Sequence, residues 1–221
     1  LLGIEVPKRA QYIRVIMMEL ARLADHIVCN SILAVDTGAL TGFLYVYQWR
    51  EHIYEIYEEL CGARLTTNMG RFGGMERDLS KVAIEKINVL LEGLPKGLKE
   101  FEGMVMRNRI FMDRTQNVGA ISAERALNYG FTGPNLRAAG VDYDVRSWNP
   151  YSSYEDFEFD VPVGTKGDTY DRFLVREEEM WQSLRIIQQA MDNLPEGPYH
   201  ADAPHYCRSM LSEKISICEG V

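Results

Sequence analysis

The sequence predicts a mainly α protein: a bundle of long helices with a loop-rich face and one small β hairpin. Three observations carry that prediction. Apolar residues recur at helical spacing through four long stretches, the pattern of helices that bury one face. Glycine, proline and asparagine cluster between those stretches, where they stop helices and shape turns. The composition, 46% hydrophobic and 25% charged over 221 residues, supplies enough apolar surface for a core and is too apolar for a disordered chain.

Taken in order, Pro7 suits a first helical turn, and Ile13, Ile16, Met17, Leu20, Leu23, Ala24, Ile27 and Val28 follow at the 3.6-residue spacing of one buried face. This helix is predicted from about Pro7 to about Val35, some 40 Å at 1.5 Å per residue. Asp36-Thr37-Gly38 breaks the pattern, and a second helix is predicted from Leu40 to Cys61, stopped by Gly62, so that the two form an antiparallel pair. Between Ala63 and Ser80 the period vanishes into a loop dense in Gly, Thr, Asn and Arg. Ser80 begins a third helix through Ile84, Ile87, Leu91 and Leu94; Pro95 ends or bends it, and helix continues to about Arg107. A short helix is predicted over Ser122–Tyr129. From Thr132 to Gly167, Gly133-Pro134, Asn149-Pro150 and alternating Tyr154, Phe157 and Phe159 predict a short hairpin or a pair of extended segments. Asp168 caps a last long helix that ends before Pro195. Residues 1–198 therefore form a helical core domain and 199–221 an irregular tail. The first residues lack both an initiator Met and a basic stretch before an apolar one, so the chain reads as a segment of a longer protein.

Composition also excludes function classes. No apolar run approaches the roughly 20 residues of a membrane-spanning helix. With 32 acidic against 24 basic residues the net charge is -8, which argues against a nucleic-acid partner. Cys29, Cys61, Cys207 and Cys218 form no C-x-x-C pair, so neither a disulfide framework nor a zinc site is readable and a reducing compartment fits best. His200, His205, Cys207 and Cys218 lie at no recognised metal spacing, and no metal is expected. Gly70-Arg71-Phe72-Gly73-Gly74 has neither a G-x-G-x-x-G pattern nor a Walker lysine, which excludes a phosphate loop and leaves close backbone approach to another surface as the use of its glycines.

Two features carry chemistry. Glu19, Arg22, His26 and Asn30 share one stripe of the first helix. They are either a solvated face or a buried polar network, which a helix this long, covered by other elements, would require to be fully paired. Asp36, at the junction of two helices, is either an N-cap or a carboxylate that orients a histidine elsewhere.

Several strings resemble one family. Arg9-Ala10-Gln11-Tyr12-Ile13-Arg14, Glu19-Leu20-Ala21-Arg22-Leu23-Ala24-Asp25-His26, Asp36-Thr37-Gly38-Ala39-Leu40-Thr41, Gly62-Ala63-Arg64-Leu65-Thr66 and Arg71-Phe72-Gly73-Gly74 resemble the 49 kDa-type subunit of NADH-quinone oxidoreductase, respiratory complex I. Thr132 to Arg146, Pro150 to Tyr154 and Gly167 to Arg172 continue the resemblance in order. That family is related to the nickel-iron hydrogenase large subunit, so the resemblance implies a helical bundle of that type, without the paired cysteines that hold nickel. Past Tyr206, the stretch Cys207 to Val221 no longer resembles the family.

The resemblance implies a membrane-associated oxidoreductase subunit that forms part of a quinone-reduction cavity and couples electron transfer to proton translocation. Quinone is the implied substrate, with no covalently bound group and an iron-sulfur cluster in a partner subunit. Asp36 is the implied carboxylate that orients the quinone-site histidine, and His26, Val28 and Ile32 the implied cavity wall. Arg64, Arg71, Gly73, Gly74 and Arg137 are implied contacts with the terminal-cluster subunit among the other peripheral-arm subunits. The implied location is peripheral, on the cytoplasmic side of the inner membrane. The histidine loop, the quinone-contacting tyrosine and the C-terminal segment of the family fall outside this chain, so the segment alone is expected to be inactive. A non-catalytic scaffold for neighbouring subunits is the alternative.

Overall fold

The computed structural model describes residues 3–203. Its frame is four long helices: α1 (Lys8–Asp36), α2 (Leu40–Cys61), α3 (Lys81–Val105) and α8 (Thr169–Asp192). Between the last two lie the short helices α4 (Arg109–Thr115), α5 (Ala123–Asn128), α6 (Gly133–Ala138) and α7 (Val145–Trp148). Helix α1 is the centre of the bundle and packs against α8 and α2, while α3 packs against α2 and also touches α8. Its Ile13, Ile16, Leu20, Leu23 and Ile27 are fully buried, the face that the apolar spacing predicts.

Each junction has a local cause. Thr37 closes α1 by returning its hydroxyl to the Leu33 and Ala34 carbonyls, and Gly38 turns the chain at φ 96°. Gly62 ends α2 in the left-handed conformation that glycine adopts without steric cost. Ser80 and Asp168 accept N–H bonds from Ala83 and Asp171 and so start α3 and α8. Helix α3 runs unbroken through Pro95. Gly93 and Gly97, flanking that proline, let the Trp49 ring of α2 lie on the α3 backbone: a Cβ at Gly93 would stand 2.2 Å from Trp49 Cη2 and one at Gly97 2.0 Å from its Nε1.

The small hairpin sits elsewhere than the sequence predicts. Strands β1 (Gly70–Arg71) and β2 (Gly74–Met75) pair antiparallel in the Gly-rich loop after α2. The segment Thr132–Gly167, expected to hold it, forms α6, α7 and a 3-10 turn at Tyr154–Asp156 instead. The alternation there has a different origin: Tyr154 and Phe157 are buried against the bundle from an irregular strap, without a strand partner. Residues 199–203 complete the hairpin. Met75 N donates to Tyr199 O at 2.9 Å and Ala201 N to Gly73 O at 2.8 Å. A Cβ at Gly74 would stand 2.4 Å from Tyr199 O, so the surface that the glycine pair approaches is the chain's own tail.

Candidate functional site

The polar stripe of α1 is interior. Glu19, His26 and Asn30 are buried, and Arg22 nearly so, against α8, α6 and the strap from Asp144 to Tyr154. Glu19 is the most heavily bonded member. It accepts from Arg146 Nη1 at 3.1 and 3.2 Å, Tyr154 Oη at 2.5 Å and Ser183 Oγ at 2.6 Å, with Arg22 Nε at 3.5 Å. Arg146 also forks onto Asp144, with Nη2 2.7 Å from Oδ2, and Asp144 caps α7. Glu179 on α8 accepts from Arg137 Nε at 2.8 Å and lies 2.7 Å from His26 Nε2 and 3.8 Å from Arg22 Nη1. Arg137 donates further to Tyr143 O at 2.8 Å.

Three carboxylates, Glu19, Asp144 and Glu179, thus meet three guanidiniums, Arg22, Arg137 and Arg146. The balance decides their protonation. Burial alone pushes the Glu19 carboxyl up, yet Arg146, Arg22 and the Ser183 and Tyr154 hydroxyls outweigh it and hold it below the usual range. Glu179 is likewise opposed by burial and brought down to about 2 by His26, Arg137 and Arg22. As an ionised carboxylate only accepts, His26 Nε2 must carry the proton between them. Burial drives the Tyr154 hydroxyl well above its ordinary range, with Glu19 adding to the effect, so it stays a donor. This is a buried network of balanced charge suited to holding α1 on α8.

The second feature of α1 faces outward. Val28, Ile32 and Asp36 follow at i, i+4 and i+8 and lie about 160°, 120° and 80° round the helix from His26, at about 100° per residue. Val28 is half-buried, Ile32 is 46% exposed and the Asp36 carboxylate is at the surface. Asp36 ends α1 and caps nothing: the N-cap residue of α2 is Ala39. Among the described residues no hydrogen bond or ion pair engages its carboxylate. His26, buried against Glu179, thus lies on a different face of α1 from Val28 and Ile32, with which the resemblance groups it.

Of the residues implied at a partner contact, Arg64 and Arg71 are at the surface. Arg64 pairs with Glu51 and Glu58, and Arg71 Nε lies 2.5 Å from Glu76. Gly73 and Gly74 are covered by residues 199–203, and Arg137 is buried in the network. Beside Arg71 runs an apolar groove of about 610 Å³ between α1 and the hairpin, lined by Met17, Met18, Met69, Met75 and Phe72. Phe72 is 71% exposed there.

Glu179, Arg137, Asp144, Arg146, Tyr154 and Ser183 are the partners that sequence reasoning missed. A signal existed: Glu179 and Ser183 lie at i, i+4 on one face of a long helix that also carries Val175, Ile186 and Ala190, as Glu19, Arg22 and His26 share one face of α1. Among the described residues no group of three or more His, Cys, Asp or Glu side chains is placed to hold a metal. His205, Cys207 and Cys218 lie outside the described residues. No helix among them is long and apolar enough to cross a membrane.

Comparison with known proteins agrees with the resemblance. A sequence model of the family described as respiratory-chain NADH dehydrogenase, 49 Kd subunit, matches residues 36–219, past the Tyr206 at which the quoted resemblance stops. An NADH-quinone oxidoreductase subunit of Flavobacterium johnsoniae is 70% identical over 207 residues, 93% of this chain and 50% of the relative. The subunit of the same name in Cytophaga hutchinsonii is 65% identical over 209 residues, 93% of the chain and 53% of the relative. That of Myxococcus xanthus is 52% identical over 221 residues, 100% of the chain and 53% of the relative. The chain spans about half the length of these relatives. Matches of this extent lead to one assignment: the chain belongs to the family of the 49 kDa subunit of respiratory-chain NADH dehydrogenase, the NADH-quinone oxidoreductase of complex I.

Proposed function

We propose that this chain is the part of an NADH-quinone oxidoreductase subunit that walls one side of the quinone-reduction cavity and presents a carboxylate to it. The observation that carries this reading is the Asp36 carboxylate, exposed and unengaged among the described residues, at the end of the outward stripe Val28, Ile32 and Asp36. An apolar stripe ending in a carboxylate is the chemistry a quinone pocket needs: a greasy wall for the ring and its tail, and an acceptor that fixes a nearby proton donor. The quinone-site histidine comes from the part of the subunit outside this chain. Asp36 accepts its ring N–H, sets the tautomer and favours the protonated ring, from which a proton passes to reduced quinone. Asp36 is thus a positioning residue.

Electrons arrive from an iron-sulfur cluster held by the terminal-cluster subunit. The methionine-lined groove, with exposed Phe72 and the guanidiniums of Arg71 and Arg64 beside it, supplies the contact for that subunit, since exposed apolar patches with a charged rim are what partners cover. The closed Glu19–Glu179 network supports the wall mechanically, because it fixes the roll of α1 and hence the direction of Val28, Ile32 and Asp36. The assembled enzyme works at the cytoplasmic side of the inner membrane, and this segment by itself lacks the proton-donating groups and is inactive.

A photoreactive quinone analogue, activated in the assembled enzyme and mapped by peptide mass spectrometry, tests the reading. Label in the part of α1 that contains Val28, Ile32 and Asp36 is expected, with label suppressed by excess quinone. Competable label confined to other parts of the subunit would remove α1 from the cavity.

The scaffold reading retains one observation in its favour, the buried ion-pair network between α1, α6 and α8, which is a device for rigidity. It predicts that α1 carries no quinone label while loss of Glu179 disrupts assembly.

A further inference from the structure

One buried carboxyl stands outside the balanced network. Glu177 on α8 is almost wholly buried; its Oε2 accepts from Asn30 Nδ2 at 3.1 Å, and its Oε1, shielded from solvent, has no hydrogen-bond partner. The other buried acids of the described residues are all provided for. Glu19, Asp144 and Glu179 face guanidiniums, Asp168 accepts from the Asn117 and Asp171 amides, and Asp171 from those of Thr165 and Lys166. An orphaned carboxyl oxygen in the interior is costly, and native proteins normally match one with a donor.

Glu177 forms part of a cleft of about 450 Å³ between α3 and α8. Its other polar lining is acidic except for one lysine. Glu102 on α3 accepts from Trp181 Nε1 at 2.7 Å, Glu178 accepts from Gln182 at 3.0 Å, and Lys99 Nζ lies 5.9 Å from the Trp181 ring. Leu174, Met106 and the Trp181 indole give apolar walls. The lining thus combines a slot for methylenes, an indole face that attracts cations, and three carboxyls, the deepest of which has one oxygen without a partner.

We propose that the α3–α8 cleft binds an alkylammonium group, with its methylenes against Leu174, Met106 and Trp181 and its N–H donors directed to Glu177 Oε1 and the Glu178 carboxylate. A compact ammonium on an alkyl stem suits a single unpartnered carboxyl oxygen beside apolar walls better than a planar guanidinium, which favours a bidentate acceptor. Lys99 is the chain's own competing cation. The groups that face Glu177 are Asn30 from α1, Glu102 and Lys99 from α3 and Glu178 from α8. Burial, with Glu102 and Glu178 adding to it against Asn30, pushes the Glu177 carboxyl up to about 8, so near neutral pH it is protonated. Seating the cation breaks that O–H bond, releases the proton to bulk water and leaves a carboxylate–ammonium pair.

The test uses the full-length protein that carries this chain, titrated with n-butylammonium chloride by calorimetry in two buffers of different ionisation enthalpy. Release of about one proton per amine bound at pH 7, shrinking towards zero above pH 9, is expected from the linkage between proton and cation. Glu177→Gln should weaken binding at least tenfold and abolish the proton release. Lys99→Ala, which removes the competitor without touching the buried carboxyl, should tighten binding severalfold. Equal affinity in Glu177→Gln and the parent, or binding without proton release, would overturn the proposal. If Glu177→Gln does not fold, unchanged or weaker binding in Lys99→Ala overturns it alone. Carbodiimide cross-linking in the assembled complex separates the two sources of such a group. A bond from Glu177 or Glu178 to another subunit's lysine identifies a side chain as occupant, and butylammonium binding without such a bond identifies a free amine.

Discussion

His26 Nε2 lies 2.7 Å from Glu179 Oε2, a buried contact between residues 153 positions apart that ties the middle of α1 to the middle of α8. Because Glu179 also receives Arg137, the same carboxylate fastens α6 to the pair of long helices.

Glu179→Gln should therefore be among the most damaging single substitutions in the chain. It leaves Arg137 buried and Arg22 largely so without their shared counter-charge, a loss of about 3–5 kcal/mol by analogy with other broken buried ion pairs. Chemical denaturation of the full-length protein measures it. Glu178→Gln, one residue away on the exposed side of α8, should change stability by no more than about 0.5 kcal/mol. Similar losses from both would show that the network does not hold the bundle.

The two buried glutamates impose opposite pH dependences in separate windows. Glu177 is raised from 4.5 to about 8, so the folded chain binds its proton more tightly than the unfolded one and stability falls as pH climbs from about 4.5 to about 8. Glu179 is lowered from 4.5 to about 2, so its contribution is complete above about 4.5 and is lost as pH falls towards 2. Melting temperature followed across pH 4 to 9 should decline on the alkaline side in the parent and flatten in Glu177→Gln. An unchanged alkaline slope in that variant would assign the decline to other groups.

Gly93 and Gly97 should be irreplaceable for a steric reason. Alanine at either drives a methyl into the Trp49 ring and should cost about 1–3 kcal/mol, the usual range for overpacking. Gly103, further along the same helix with nothing within 4 Å of a new Cβ, should gain about 0.5–1 kcal/mol as alanine through helix propensity. A gain at all three positions would mean that the indole does not rest on α3.

Much of this fold was legible in the sequence, because long helices write their own signals. The bounds of α2 and the caps of α3 and α8 follow from Gly62, Ser80 and Asp168, whose roles are local. The hairpin was misplaced for the converse reason. Gly70 to Met75 carries no apolar alternation and is covered by residues 199–203, whereas the alternating Tyr154 and Phe157 serve an irregular strap. The α1 stripe was legible as a possible network, but Arg137 and Arg146 were not legible as its cations, since their short helices have no period and their burial is set by distant helices. For the same reason the sequence does not show that the roll of α1 buries His26 and leaves Asp36 at the surface.

If Asp36 serves the quinone site through the histidine it orients, turnover of the assembled enzyme carrying Asp36→Asn reports it, because the substitution keeps the shape and removes the charge. Quinone reduction should slow about 10- to 100-fold, the usual scale for losing a partner that orients a reactive histidine. The pH–rate profile should change as well, with assembly and the reduction of the upstream clusters by NADH left as in the parent. Parent-level turnover with an unchanged pH profile in the fully assembled variant would contradict the role given to Asp36.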